Sequence, residues 1–188
     1  MRDNRAMSAV ISPCSLYRYR LDREVQLAGV VIAYFGVNPS TASAEVEDQT
    51  TRKWRGFTLR NGGRRYIAAN PFAFRATDVA QLARRPDPVG PENARYLLEV
   101  IDEADVLVPC WGARGKVPRS LHSHLDALAA LLLASGKPVR VLGLTASGDP
   151  LQTVDAGLRD AAGRLEAAVN ESRTLSCCWP NSAPVRFR

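Results

Sequence analysis

The chain has 188 residues, 46% of them apolar, with a formal charge of +6 and a pI near 9.5. That length suits one domain, which buries roughly 70% of its unfolded surface and needs no disulfide or metal as a staple. No apolar run reaches about 18 residues and the start, Met1 to Arg5, is polar, so neither a membrane-spanning helix nor a secretory signal is expected.

Cys14, Cys110, Cys177 and Cys178 lack the C-x-x-C spacing of a zinc or iron–sulfur site, and we read them as reduced thiols of a cytoplasmic protein. Arginine supplies nearly all of the positive charge, since lysine occurs only at Lys53, Lys116 and Lys137. Arginine forks match phosphate oxygens bidentately, which permits nucleic-acid binding; a high-GC genome would give the same composition.

Residues 1–12 read as a flexible N-terminal arm, and 13–188 as a single domain. Ser15 to Leu21 alternates apolar and polar, the mark of a half-buried strand with an Arg/Tyr face toward solvent or nucleic acid. Gly29 to Phe35 is a continuous β-branched run, suited to a parallel strand buried on both faces. It stops at Gly36-Val37-Asn38-Pro39-Ser40-Thr41, where Gly and Pro break the strand. Asp48 to Leu59 predicts a short helix carrying Arg52, Lys53 and Arg55. Arg65 to Ala69 predicts a second buried strand, ending at Asn70-Pro71-Phe72.

A short helix is expected from Thr77 or Asp78 to Arg84, and a longer one from Pro91, at the first helical position that proline favours. Asp105 to Cys110 predicts a third strand, Ser120 to Ala134 a core helix, and Val139 to Leu144 a fourth strand. A last helix is expected over about Thr153 to Glu171. Strands alternating with helices imply an α/β fold, three-layer α/β/α around a mostly parallel four-stranded central sheet. Sites in such folds lie at the carboxyl ends of strands, here the loops 36–48, 70–78, 110–117 and 145–151.

Asn38, held by Pro39 at a buried strand end, presents an amide that can orient a water or read a base edge; it equally suits an Asx-turn. Asn70 repeats the pattern, and Phe72 is either a stacking platform for a flat ligand or plain core. Asp48 reads as a helix cap or as a carboxylate that steers water. His122 and His124 are the only histidines, and on a helix their side chains diverge, so no metal is expected. There is no P-loop and no nucleophile elbow.

In combination, Gly36-Val37-Asn38-Pro39-Ser40-Thr41-Ala42-Ser43, Asp48-Gln49-Thr50, Asn70-Pro71-Phe72-Ala73-Phe74-Arg75-Ala76-Thr77-Asp78, Val89-Gly90-Pro91-Glu92-Asn93, Cys110-Trp111-Gly112 and Gly143-Leu144-Thr145 resemble a bacterial and phage family of unknown function. That family is in turn distantly similar to the uracil-DNA glycosylase superfamily. The link is Gly36 to Ser40, which resembles the water-activating G-x-[DN]-P-x loop, with asparagine in the catalytic position as in the mismatch-specific branch.

The resemblance implies a uracil-DNA-glycosylase-like fold and a monofunctional DNA glycosylase without metal or cofactor. Asn38 would position the attacking water, with Asp48 stabilising the sugar cation or polarising that water. Asn70 would read the flipped base and Phe72 would stack on it. Ser40 stands where uracil-specific enzymes place a tyrosine that blocks pyrimidine C5, which implies a C5-substituted pyrimidine such as the hypermodified bases of phage DNA, and hence antiviral defence. Arg52, Lys53, Arg55, Arg114 and Lys116 are the candidates for DNA phosphates, with Ser147 in the late, intercalating loop. That loop lacks the superfamily's usual histidine. The expected partner is DNA, bound by a monomer, with no membrane association. A hydrolase acting on free modified nucleosides or nucleotides, and a non-catalytic reader of modified bases, are the alternatives.

Overall fold

In a computed structural model, which describes residues 7–40, 48–153 and 155, five strands form one mixed sheet. They are β1 (Met7–Ile11), β2 (Arg18–Glu24), β3 (Val30–Phe35), β4 (Gly63–Ala69) and β5 (Val106–Pro109), in the order β1-β2-β4-β3-β5. The β-branched run of β3 takes the centre of a parallel trio, paired with β4 and β5, while β2 joins β4 antiparallel and β1 joins β2 antiparallel.

Alternation along these strands divides the core in two. Val31, Ala33, Phe35, Ile67 and Leu107 face one way and meet Leu97 and Val100 of α2 (Asn93–Glu103) and Leu125 and Leu128 of α3 (His122–Ala134). Ile32, Tyr34, Tyr66 and Val108 face the other way, onto Trp54 and Phe57 of α1 (Gln49–Arg60). Each fully buried large side chain contributes about 1.5–3 kcal/mol relative to exposure. Between β2, β4 and α2 runs a buried ion network. Arg20 grips Asp22 with two hydrogen bonds of 2.6 and 2.7 Å, and Glu103 receives both Arg20, at 2.5 Å, and Arg65.

Several expectations are corrected. The sheet has five strands rather than four, and two of its four pairings are antiparallel. Part of the expected N-terminal arm is β1, because Met7 to Ile11 supplies the free edge of β2 with a partner. The Arg/Tyr face is no solvent face: Arg18, Tyr19 and Arg20 are all buried. The short helix after Asp78 is a 3-10 helix, Val79–Arg84.

Residues 139–144 do not form a strand. They make one parallel bridge, Leu107 to Val139, and then leave β5; Gly143, at φ 142°, turns the chain into a return closed by the Leu144–Pro150 bridge. Pro138 cannot donate a ladder hydrogen bond, which shortens the pairing from the start. Apart from Thr153 and Asp155, the final helix lies outside the described residues, as do Cys177 and Cys178. Among the described residues, no helix is long and apolar enough to cross a membrane.

Candidate functional site

The parallel strands β4, β3 and β5 end side by side, and the chain leaving each one turns into the same hollow. Gly36 to Asn38 follow β3, Asn70 follows β4 and Cys110 follows β5, and all of them line a cavity of about 150 Å³. That is roughly ten times the space one ordered water needs. The start of α1 closes the cavity with Asp48, Thr50 and Trp54.

Asn38 gives both amide hydrogens to backbone carbonyls, of Ala76 at 2.7 Å and Pro39 at 3.2 Å. This ties the β3 loop to the loop after β4 and leaves the side-chain oxygen as the group able to accept from a ligand or water. Asn70 is buried, and its oxygen lies so near Gly36 that a Cβ there would stand 3.0 Å from it. Fully buried Asn93 on α2 holds this turn by donating to the carbonyls of Asn70 (2.9 Å) and Pro71 (3.0 Å).

Asp48 is both of the things its sequence context allowed. It caps α1, accepting the Thr51 amide at 2.8 Å, and it lines the cavity, where Ser40 donates its hydroxyl at 2.5 Å. Burial opposes its charge, but the hydrogen bonds from Ser40 and Thr51 and the nearby Arg18 guanidinium prevail and hold the carboxyl below its ordinary value. Asp48 is therefore ionised at neutral pH.

Phe72 does not reach this cavity. It is fully buried in the core under α3, edge-on to His124 with ring centroids 5.5 Å apart, so its stacking role is corrected to a packing one. The aromatic wall is Trp54, 4% exposed, which stacks on Tyr34 at 5.5 Å and donates its indole N–H to Thr153 at 2.7 Å. Helical spacing marks Trp54, Phe57 and Thr58 as the buried side of α1; the neighbouring arginines drew attention away from it.

Arg18 is the other residue that sequence reasoning missed. The β1–β2 ladder skips Tyr19, pairing Val10 with Arg20 and Ile11 with Arg18. Such a bulge breaks strict alternation. Arg18 thereby lines the cavity beside Asp48 instead of joining Arg20 and Asp22. Burial lowers its pKa to about 10 against the pull of Asp48, so it is still a cation at neutral pH.

The phosphate-contact candidates part company. Arg52 and Arg55 are exposed on α1 and Lys53 is half-buried. Arg114 is paired with Asp126 and, at 3.7 Å, with Asp149; Lys116 reaches Asp155 at 3.9 Å; and Ser147 donates to Asp149 at 2.8 Å. These three are engaged with carboxylates of their own neighbourhood. His122 contacts the Val117 carbonyl at 2.8 Å, away from His124, and no metal-ligand cluster occurs among the described residues.

Fold and site thus define a mixed α/β protein with a polar, partly cationic cavity at the ends of its parallel strands. The chain belongs to the family described as protein of unknown function (DUF1643), whose model matches residues 18–151. That match starts at Arg18 and takes in every cavity-lining residue except Gln152 and Thr153. No curated protein and no solved structure matches the chain.

Proposed function

We propose that this protein is a monofunctional DNA glycosylase that flips a C5-modified pyrimidine out of DNA and hydrolyses its glycosidic bond. The observation that carries the reading is the convergence of Asn38, with only its oxygen left to accept, and an ionised Asp48 on one small cavity at the strand ends. The sequence of that loop, with asparagine ahead of proline, supports a uracil-DNA-glycosylase-like reading. So do the helices packed on both faces of the sheet, as a three-layer α/β/α arrangement requires.

In this mechanism the flipped nucleotide enters at a cost of a few kcal/mol of unstacking. Trp54 forms the flat wall and Asn70 meets the edge of the ring. The C1′–N bond breaks with its electron pair going to the base, leaving an oxocarbenium-like sugar. Asn38 accepts a hydrogen bond from the water that attacks C1′. The water supplies hydroxide to the sugar and its proton to the departing base, giving an abasic site and a free base. Asp48 is too weak a base to lead proton removal, since its pKa is depressed; its part is to stabilise the positive sugar. Arg52 and Arg55, exposed on the helix that starts at the cavity, meet the phosphates. We place the protein in the cytoplasm, acting as a monomer against modified foreign DNA.

A second reading has an observation of its own. Arg18 puts a cation inside the cavity, where it suits the phosphate of a free modified nucleotide, while Arg114 and Lys116 are already paired with carboxylates.

The test is to incubate the protein with plain, uracil-containing and C5-modified DNA, then with alkali, beside Asn38→Ala. Breaks confined to modified DNA and absent with the variant are expected. Cleavage of free nucleotides alone would replace the glycosylase by the second reading, and tight binding without base release would make the protein a reader.

A further inference from the structure

Next to the cavity lies a second hollow of about 310 Å³, roughly twice its size. The two share one wall, made of Ser40, Ala76 and Thr77. Ser15, Leu16, Arg75 and Gln81 enclose the rest.

Three features set this hollow apart from an ordinary surface groove. Arg75 uses one guanidinium nitrogen on the Ser15 carbonyl at 3.3 Å, while its Nε is buried with no hydrogen-bond partner. A buried donor left unpaired costs on the order of 1–3 kcal/mol, which is recovered once the guanidinium turns onto an acceptor in the hollow. Ser15 sits at φ 60°, a conformation that non-glycine residues rarely adopt and that concentrates at ligand sites. Leu16 is 42% exposed at the rim, an apolar contact beside the polar ones.

The lining also limits the chemistry. It offers hydroxyls, an amide and a guanidinium and contains no carboxylate, so a cationic group finds no partner there. Arg75 lies close enough to Arg18 to disfavour its charge, so guanidinium groups stand on both sides of the shared wall, with the Asp48 carboxylate held behind Ser40 in the first cavity. The volume exceeds that of the cavity meant for the ring, so there is room for a group of ring size.

We infer that this hollow is a substituent subsite, which takes an oxygen-rich, non-cationic group of ring size carried on the base in the first cavity. The inference rests on the glycosylase reading only for the identity of that base. Ser40 and Thr77 are the threshold between the two compartments, and Arg75 donates to the oxygens of the substituent.

The experiment uses three duplexes containing 5-methylcytosine, 5-hydroxymethylcytosine or a hexosyl ether of 5-hydroxymethylcytosine, together with the three free nucleosides. Base release is measured on the duplexes, and binding of the nucleosides by calorimetry. Gln81→Trp fills the hollow and Arg75→Met removes its donor, and neither residue lines the first cavity. The hexosylated base is expected to be favoured about tenfold or more over the methylated one, a preference lost in both variants, as befits one charge-assisted hydrogen bond. Equal release from all three duplexes, unchanged in both variants, would overturn the subsite and leave the glycosylase standing. Binding of the hexosylated nucleoside, lost in the variants, with no base released from any duplex, would overturn the glycosylase and uphold the subsite. Neither release nor binding would overturn both.

Discussion

Ser40 donates its hydroxyl to Asp48 across 2.5 Å, joining the loop after β3 to the first turn of α1. This bond helps to hold the Asp48 carboxyl below its ordinary value. In Ser40→Ala the carboxyl should rise toward the usual range near 4. The acidic limb of the pH–rate profile is then expected to move to higher pH, with the plateau at neutral pH little changed. A limb that stays in place would remove Asp48 from the reaction.

Asp48→Asn separates charge from capping. Asparagine caps a helix about as well as aspartate, so the helix start should survive, and the loss in a denaturant titration, about 1–3 kcal/mol, reports the charge that Asp48 sets against buried Arg18. Base release should drop by at least about a hundredfold, because the sugar cation loses its counter-charge in a partly desolvated site. A variant that unfolds early and one that folds but fails are told apart by the same titration.

The approach of Asn70 to Gly36 gives a third expectation. A Cβ at Gly36 would meet the Asn70 oxygen at 3.0 Å and push the amide from its place at the cavity wall. Gly36→Ala is expected to raise KM for the modified substrate more than it lowers kcat, since Asn70 meets the base rather than the reacting bond. An unaltered KM would mean that Asn70 does not touch the substrate.

The ion network predicts a stability loss far from the site. Asp22→Ala strands Arg20 without its bidentate partner, at a cost of about 3–5 kcal/mol, a large share of the 5–15 kcal/mol that domains of this kind have. Burial opposes the Glu103 charge, but Arg65 and Arg20 outweigh it and lower the carboxyl's pKa. A lowered folded-state value stabilises above the unfolded pKa and is lost as pH falls through it. Thermal unfolding should therefore show wild-type stability falling below about pH 4, with a smaller fall in Glu103→Gln.

Cysteine chemistry gives a fifth. Burial pushes the Cys110 thiol up to about 11, between Trp54 and Thr153, whereas exposed Cys14 is lowered by its hydrogen bond with Ser12. Alkylation followed by peptide mapping should label Cys14 well before Cys110. Equal labelling would mean that the cavity floor opens in solution.

Local signals made most elements legible. The β-branched run of β3, the Asp48 cap and the Gly and Pro stops fix conformation within a few residues, and the structure places β3, α1 and α2 within two residues or so of their expected bounds. Asn38, Asp48, Asn70 and Ser40 could be singled out because strand-end loops are readable in sequence, and all four line the cavity. Phe72 failed for the opposite reason, since an aromatic after a strand looks the same whether it turns to the site or the core. Residues 139–144 have the composition of a strand, but Pro138 and Gly143 limit them to one bridge with β5. Arg18 was hidden because alternation assumes unbroken pairing, and the skip at Tyr19 is a property of two strands together.

That skip carries a consequence for how the gene tolerates length changes. Inserting a single residue between Val10 and Ile11 would give Tyr19 a partner, restore regular pairing between β1 and β2 and place Arg18 on the face of Arg20, out of the cavity, while leaving every named cavity side chain in the sequence. One codon in an edge ribbon thus sets the charge of the cavity. In an insertion scan, the junction of Val10 and Ile11 should be as intolerant as the loop that holds Asn38, and far less tolerant than a surface hairpin of ordinary architecture.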